Sequence, residues 1–207
     1  MNNERNNEQL ILEAAEVEFL EKGFKNAATT AIAKRAGVTH AMLHYYFRTK
    51  ENLFQKVFQE KVQLIGNSFY QQLSDDLPFE EIIRKLIEFH FEFVRQNPKL
   101  MSFVINEVLV NKNNRRFFVD EMHPKVLKVL HRLEKLINDE VSKGNIRQVK
   151  PHNLLINIAS MNVMTFMMFP IVKDLVTEEK PEYFEHFFNE RKESIVQFVL
   201  NALTINH

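Results

Sequence analysis

The sequence predicts an all-α fold, and three observations carry that expectation. Apolar residues recur three and four positions apart along most of the 207-residue chain, the period of a helix with one buried face. Its long stretches lack the apolar/polar alternation of a half-buried strand. Turn formers are few, four glycines and six prolines, and they fall at the edges of the periodic runs. Gly23 and Gly144 follow such runs, while Pro78, Pro98, Pro151, Pro170 and Pro181 lie near the starts or breaks of others.

The elements follow in order. The run ILEAAEVEFLEKGF, residues 11–24, is an opening helix. A second helix would turn Ile32, Ala33 and Ala36 inward and stop at Gly37, where the chain must bend sharply without a Cβ in the way, and Val38 plugs the corner. Thr39 is suited to cap a third helix, its hydroxyl accepting from the orphan N–H groups of the first turn. In that helix Met42, Leu43 and Phe47 point to the core, leaving His40, Ala41, His44 and Tyr45 outside. Two short helices joined at a glycine turn are a helix-turn-helix signature, and the outer residues are those a DNA groove would meet.

A longer helix is expected from Lys50 to about Leu73, with Leu53, Phe54, Val57, Phe58, Ile65 and Phe69 on its apolar side. One end would pack on the DNA-binding helices and the other reach the body, with no Pro/Ser/Gly linker between. Beyond Pro78, helices are expected at 79–95, 98–110, 121–143, 152–168 and 181–203, the third starting loosely after NKNNRRFF and closing at Gly144. The division expected is residues 1–52 for DNA binding and 53–207 for a helical regulatory body.

The pieces ILEAAEVEFLEKGF, IAKRAGV (32–38), LHYYF (43–47), and Lys50 with Leu53, in this order and spacing, resemble the DNA-binding domain of the tetracycline-repressor (TetR) family of bacterial regulators over about residues 8–55. Two departures stand out: Ala27 and Ala28 replace the hydroxyl residues that commonly open the second helix, and His44 replaces a tyrosine. The resemblance implies an N-terminal three-helix reader and a C-terminal helical domain for ligand binding and dimerisation. Thr29, Thr30, Thr39, His40, Ala41, His44, Tyr45, Tyr46 and Lys50 would be the DNA-binding residues. Of these Lys50, Thr30, His44 and Tyr46 would sit on phosphates, and His40, Ala41 and Tyr45 on base edges or thymine methyls.

For the body, the resemblance implies a small molecule held between helices. The expected lining is Phe89, His90, Phe93, Phe103, Asn106, Phe118, Met122, Met161, Met164 and Thr165, drawn from an unusual stock of 19 phenylalanines and eight methionines and suited to a mainly apolar ligand. The same side chains also suit a plain core. The last two helices would pair with their symmetry mates in a four-helix bundle through Ile156, Ala159, Phe166, Met167, Phe184, Phe188, Ile195 and Phe198. The partners implied are double-stranded operator DNA, a second copy of the chain and an unidentified small-molecule effector.

Composition narrows the classes. The formal net charge is zero, yet residues 22–50 hold Lys22, Lys25, Lys34, Arg35, Arg48 and Lys50 with no acid, while residues 1–21 carry six glutamates and one arginine. Neutrality therefore conceals a basic patch on the reading segment. Zero cysteines exclude disulfides and thiolate metal sites and fit a reducing, cytoplasmic setting. No secretory signal is visible, and residues 154–172, although apolar, are interrupted by Asn157, Ser160, Asn162, Thr165 and Pro170, so a membrane span is not expected. No histidine has a glutamate three residues before it, only Asp120 and His123 make a related pair, and there is no phosphate-loop glycine pattern or GxSxG elbow. Neither enzyme chemistry nor a cofactor or metal is expected. The competing class is a helical adaptor binding another protein through its methionine-rich faces, which leaves the ordered helix-turn-helix unexplained.

Overall fold

Local signals set the helix ends in the computed structural model, which describes residues 2–70, 77–176 and 181–205, with the side chains of 7–67, 77–176 and 182–205. Among these residues nine helices run in order: α1 Asn2–Asn26, α2 Thr29–Ala36, α3 His40–Phe47, α4 Lys50–Tyr70, α5 Phe79–Gln96, α6 Pro98–Val110, α7 Lys112–Ser142, α8 Pro151–Val176 and α9 Pro181–Leu203. No strand occurs among them. The expected end of α4 near Leu73 and the side chain of Phe69 lie outside the described residues.

Three boundaries differ from expectation, the first being α1, which starts at Asn2 rather than at residue 11. α7 starts at Lys112, because the Asn111 carboxamide oxygen accepts from the N–H groups of Asn113 and Asn114 at 2.9 and 3.2 Å and so caps the polar run that reads as a loop. α8 continues through Pro170 to Val176, since one missing N–H donor inside a long packed helix removes one bond without ending it.

The helices form two compact units: residues 1–66 with 99–121, and 67–98 with 122–207. The expected boundary between residues 52 and 53 falls inside the first unit. Phe54 meets Phe19 and Phe24 of α1 with ring centroids 5.1 and 4.8 Å apart, and Phe103 of α6 packs edge-on to Phe54 at 5.5 Å and tilted against Phe58 at 6.2 Å. Burying each such ring contributes roughly 1.5–3 kcal/mol, so α4 and α6 belong to that core as firmly as the reading helices do.

In the second unit α5 is the central element. Phe79, Ile83, Leu86, Ile87 and Phe91 are buried with Val129, Leu133 and Ile137 of α7, Leu154 and Ile158 of α8, and Phe188, Ile195, Val196, Val199 and Leu203 of α9. Ion pairs tie α5 to α9: Arg84 to Glu193 at 2.7 Å, Arg95 to Glu185 at 2.5 Å and Lys192 to Glu92 at 2.7 Å. The Arg84 guanidinium and the Gln197 amide hold the Glu193 carboxyl down to about 2.

This packing corrects part of the expected dimer surface. Phe188 and Ile195 are buried in the unit's own core, and Phe166 lies against Phe91 and Phe188 at 4.9 and 5.1 Å. Phe184 is half-covered by Phe169 at 5.2 Å. Ile156, Ala159, Met167 and Phe198 do face outward, with Met168, Ile171 and Leu175 continuing the apolar row along α8. α8 is long and apolar enough to cross a membrane by length and composition, but its Leu154, Ile158, Asn162 and Thr165 side is buried in the unit.

Candidate nucleic-acid interface

The reading element is built from two turns and two caps. Gly37 ends α2 at φ 69° and ψ 23°, the left-handed conformation that costs glycine nothing, and the Val38 N–H reaches back to the Ala33 carbonyl at 3.0 Å. Thr39 then caps α3 by accepting from the Met42 N–H at 3.1 Å, as its position predicts. Leu43 and Phe47 are buried and Met42 half-buried, so the helix is anchored from one side. His40, Ala41, His44 and Tyr45 are exposed in a row on the other, Tyr45 at 64 %.

The exit from α3 is strained. Arg48 holds φ 63° and ψ −52°, and the Thr49 N–H closes a three-residue turn onto the Phe47 carbonyl at 2.6 Å. Thr49 then caps α4 by accepting from the Asn52 N–H at 3.1 Å, which places Lys50 in its first turn. The Lys50 ammonium lies 4.8 Å from the Phe24 ring centre and donates to the Lys25 carbonyl at 3.4 Å. This cation therefore has an internal resting place at the end of α1.

Hydrogen bonds fix what the histidines present. The Thr29 hydroxyl lies 2.9 Å from His40 Nε2, and the two imidazoles stand edge to face with centroids 4.5 Å apart. His44 Nδ1 lies 2.9 Å from the Arg48 carbonyl, which can only accept, so the neutral ring carries its proton on Nδ1 and turns an Nε2 lone pair outward. Such a ring accepts from an exocyclic amine and cannot donate to a phosphate until it is protonated.

Part of the basic patch is spoken for. Lys22 donates to the buried Glu18 carboxylate at 2.6 Å, and Arg35 stands 4.0 Å from Glu18 and 3.9 Å from Glu21. Thr30 and Lys34 are exposed, as is Arg48, and Tyr46 is half-buried. Ala28 caps α2 without a side-chain bond, so the missing hydroxyl is a real structural loss. The backbone N–H of Ala28 bonds instead to Glu18.

Residues 11–57 match the family described as "Bacterial regulatory proteins, tetR family", and residues 80–182 match the family described as "Tetracyclin repressor-like, C-terminal domain". The chain belongs to the TetR family. It is an all-α transcription regulator with a helix-turn-helix DNA-binding domain. It is 26 % identical over 144 residues to the uncharacterized HTH-type transcriptional regulator YhgD of Bacillus subtilis (strain 168), covering 69 % of this chain and 73 % of that one. It is 22 % identical over 138 residues to the same organism's fatty acid metabolism regulator protein, covering 67 % and 70 %. Among solved structures, a TetR family transcription regulator from Marinobacter aquaeolei VT8 aligns at a TM-score of 0.66 with 15 % identity, covering 99 % of both chains. The fatty acid degradation regulator FadR from Bacillus halodurans aligns at 0.59 with 21 % identity, covering 94 % of this chain and 98 % of that one.

Within this TetR-family fold the expected ligand residues divide. Phe103, Asn106 and Phe118 belong to the first unit, and Phe103 is spent on the phenylalanine cluster there rather than free to line a pocket. Phe89, His90, Phe93, Met122, Met161, Met164 and Thr165 belong to the second, where Met164 is exposed and Phe89 and Phe93 are half-buried. His90 is buried to 3 %, and Asn162, which donates to the Ile87 carbonyl at 3.0 Å, lies 3.1 Å from His90 Nδ1. An amide nitrogen only donates, so His90 accepts at Nδ1. Burial drives its pKa down to about 4. Thr165 bonds the Met161 carbonyl at 2.8 Å and receives Arg191 Nε at 3.2 Å. A cavity of about 370 Å³ opens in the same unit between the α7–α8 loop, the start of α8 and the end of α9; of the expected lining, only Met161 reaches it.

Glu18 is not among the residues expected from sequence, yet it lies within the inward stripe Ile11, Ala14, Ala15, Phe19 and is 1 % exposed. A glutamate at a core register is the signal that marks it. Equally unexpected is the chain Gln55–Asn114–Glu107, linked at 2.8 and 3.1 Å across α4, α7 and α6, in which burial raises the Glu107 carboxyl. Nothing local marks those three as partners.

Proposed function

We propose that this TetR-family regulator binds a palindromic operator as a homodimer, represses transcription from it, and is released by a small, mainly apolar ligand. The observation that carries the reading is the exposed row His40, Ala41, His44 and Tyr45 on a helix whose opposite side is locked by Leu43 and Phe47. None of those four side chains is needed to fill the core. Two-fold pairing would set the reading helices about 34 Å apart, or a multiple of one DNA turn.

Within that assignment Thr30, Tyr46 and Lys50 take phosphates, while Thr29 and Thr39 support the helix from its edges. His44 moves to the base edges: its outward Nε2 lone pair suits adenine N6 or cytosine N4. Ile156, Ala159, Met167 and Phe198 are the residues of the expected set that remain open to a second copy. An effector need shift the two heads by only roughly 1–3 kcal/mol of coupling to release an operator held at modest affinity. Relatives named for fatty acid metabolism and degradation agree with an effector that is largely apolar.

The test is selection of bound sequences from a random DNA pool with the purified protein. An inverted repeat whose binding is lost in Tyr45→Ala supports the reading. Sequence-blind, salt-sensitive binding, or none, transfers weight to the adaptor class.

A further inference from the structure

We propose that Arg48 is a positioning residue for operator reading and acts through its backbone: the strained turn there fixes His44 as a hydrogen-bond acceptor and so selects an adenine or a cytosine in each half-site. The inference rests on the reading that α3 enters the major groove. Among the described residues Arg48 is the one non-glycine with positive φ. Its φ of 63° and ψ of −52° belong to a rare, strained three-residue turn, and such conformations persist where a site uses them. Here the strain turns a carbonyl around. A right-handed helical residue points its carbonyl onward, to the N–H four residues ahead. The Arg48 carbonyl instead meets the ring four residues behind, 2.9 Å from His44 Nδ1, while the Arg48 N–H still donates to the His44 carbonyl at 2.9 Å. One residue thus grips His44 by both its backbone and its ring. The His40 ring stands edge to face against the same imidazole, with centroids 4.5 Å apart. With Nδ1 engaged, the Nε2 lone pair is left to face outward. It accepts from the amino group of adenine or cytosine, whereas guanine O6 and N7 and thymine O4 are themselves acceptors and are refused. A tyrosine at this position would offer a single polar atom; imidazole has two, so it can bond inward and outward at once. The exposed Arg48 guanidinium takes no part in this arrangement.

Two substitutions in the full-length protein separate the backbone from the side chain. Arg48→Gly and Arg48→Val both remove the guanidinium, but glycine adopts positive φ freely and a β-branched residue resists it. Nitrogen-15 shifts of the histidine rings, measured without DNA at pH 8, above the ordinary histidine range, report the tautomer directly. The His44 proton is expected on Nδ1 in the wild type and in Arg48→Gly, and on Nε2 in a substantial share of Arg48→Val molecules. DNA selected from a random pool by the wild type and by Arg48→Gly is expected to hold adenine or cytosine at one position per half-site, about fivefold or more over guanine and thymine. In Arg48→Val and in His44→Phe that preference is expected to fall to about twofold or less, with the other positions kept. If Arg48→Val does not fold, the wild type and His44→Phe carry the test alone. A wild-type proton on Nε2, or the same tautomer in both Arg48 variants, would overturn the role of Arg48. Guanine or thymine at the position that His44→Phe alters would overturn the base assignment. The expected tautomers with no sequence selected would overturn operator reading itself, and the base assignment with it.

Discussion

The Thr29 hydroxyl lies 2.9 Å from Nε2 of His40, so the first residue of α2 is tied to the first residue of α3 across the helix-turn-helix. The bond fixes the orientation of an imidazole on the reading face and braces the angle between the two helices. Thr29→Val removes it while keeping shape. The expected result is a three- to tenfold loss of affinity for the selected operator by fluorescence anisotropy, with stability lowered by no more than about 1 kcal/mol because the bond is exposed. Unchanged affinity would remove Thr29 from the interface.

Glu18 gives the reading domain an acid-sensitive joint. Its carboxyl is lowered first by the hydrogen bond from Lys22, helped by the charges of Lys22 and Arg35 and by the Ala28 N–H, against the opposing effect of burial. A carboxyl lowered in the folded state adds stability above its unfolded value of about 4.5 and loses it as pH falls through the folded value. Glu18→Gln is therefore expected to cost roughly 1–3 kcal/mol at pH 7, by urea unfolding, and to flatten the decline of stability below pH 4.5. An equally steep decline in the variant would clear Glu18 of this role.

His90 has the same proton preference as Glu18, over a different pH window. Its folded pKa of about 4 lies below the ordinary 6.5, so only the unfolded chain takes up the proton between those values, and stability falls as pH drops from 6.5 towards 4. The loss can reach roughly 3 kcal/mol from this group. His90→Gln, measured by urea unfolding at pH 7 and pH 5, is expected to narrow the difference between the two.

Lys50 can be assigned by salt. Each phosphate neutralised by a side-chain cation contributes about 0.9 to the slope of log affinity against log salt, so Lys50→Ala is expected to reduce that slope by this amount per head. If the slope stays and only the melting temperature falls, the residue serves the Lys25 carbonyl and the Phe24 ring alone.

Two isoleucines of the expected dimer surface separate pairing from folding. Ile156 is 62 % exposed and Ile195 is 1 % exposed. Ile156→Glu is expected to give a folded monomer by light scattering, whereas Ile195→Glu should unfold the second unit. A dimer that survives Ile156→Glu would move the interface off this stretch of α8.

The reading helix was legible because its signals are local. The Thr39 cap, the Gly37 turn and the spacing of Leu43 and Phe47 each act within a few residues, and the structure reproduces them. The start of α7 carries a local signal too, in the capping carboxamide of Asn111 at the head of what otherwise reads as a polar loop. Phe103 carries none: helical spacing marks it as inward, but spacing says nothing about whether it meets a ligand or Phe54 and Phe58.

By itself the sequence determined the helical class, the order of the elements, the helix-turn-helix and the outward row from His40 to Tyr45, because hydrogen bonding and side-chain period repeat within one or two turns. Tertiary structure alone decided that Phe188 and Ile195 belong to the core, and that Gln55, Asn114 and Glu107 meet across α4, α7 and α6. Those outcomes depend on which of several apolar faces finds a partner. Packing of residues distant in sequence settles that choice, and no local pattern encodes it.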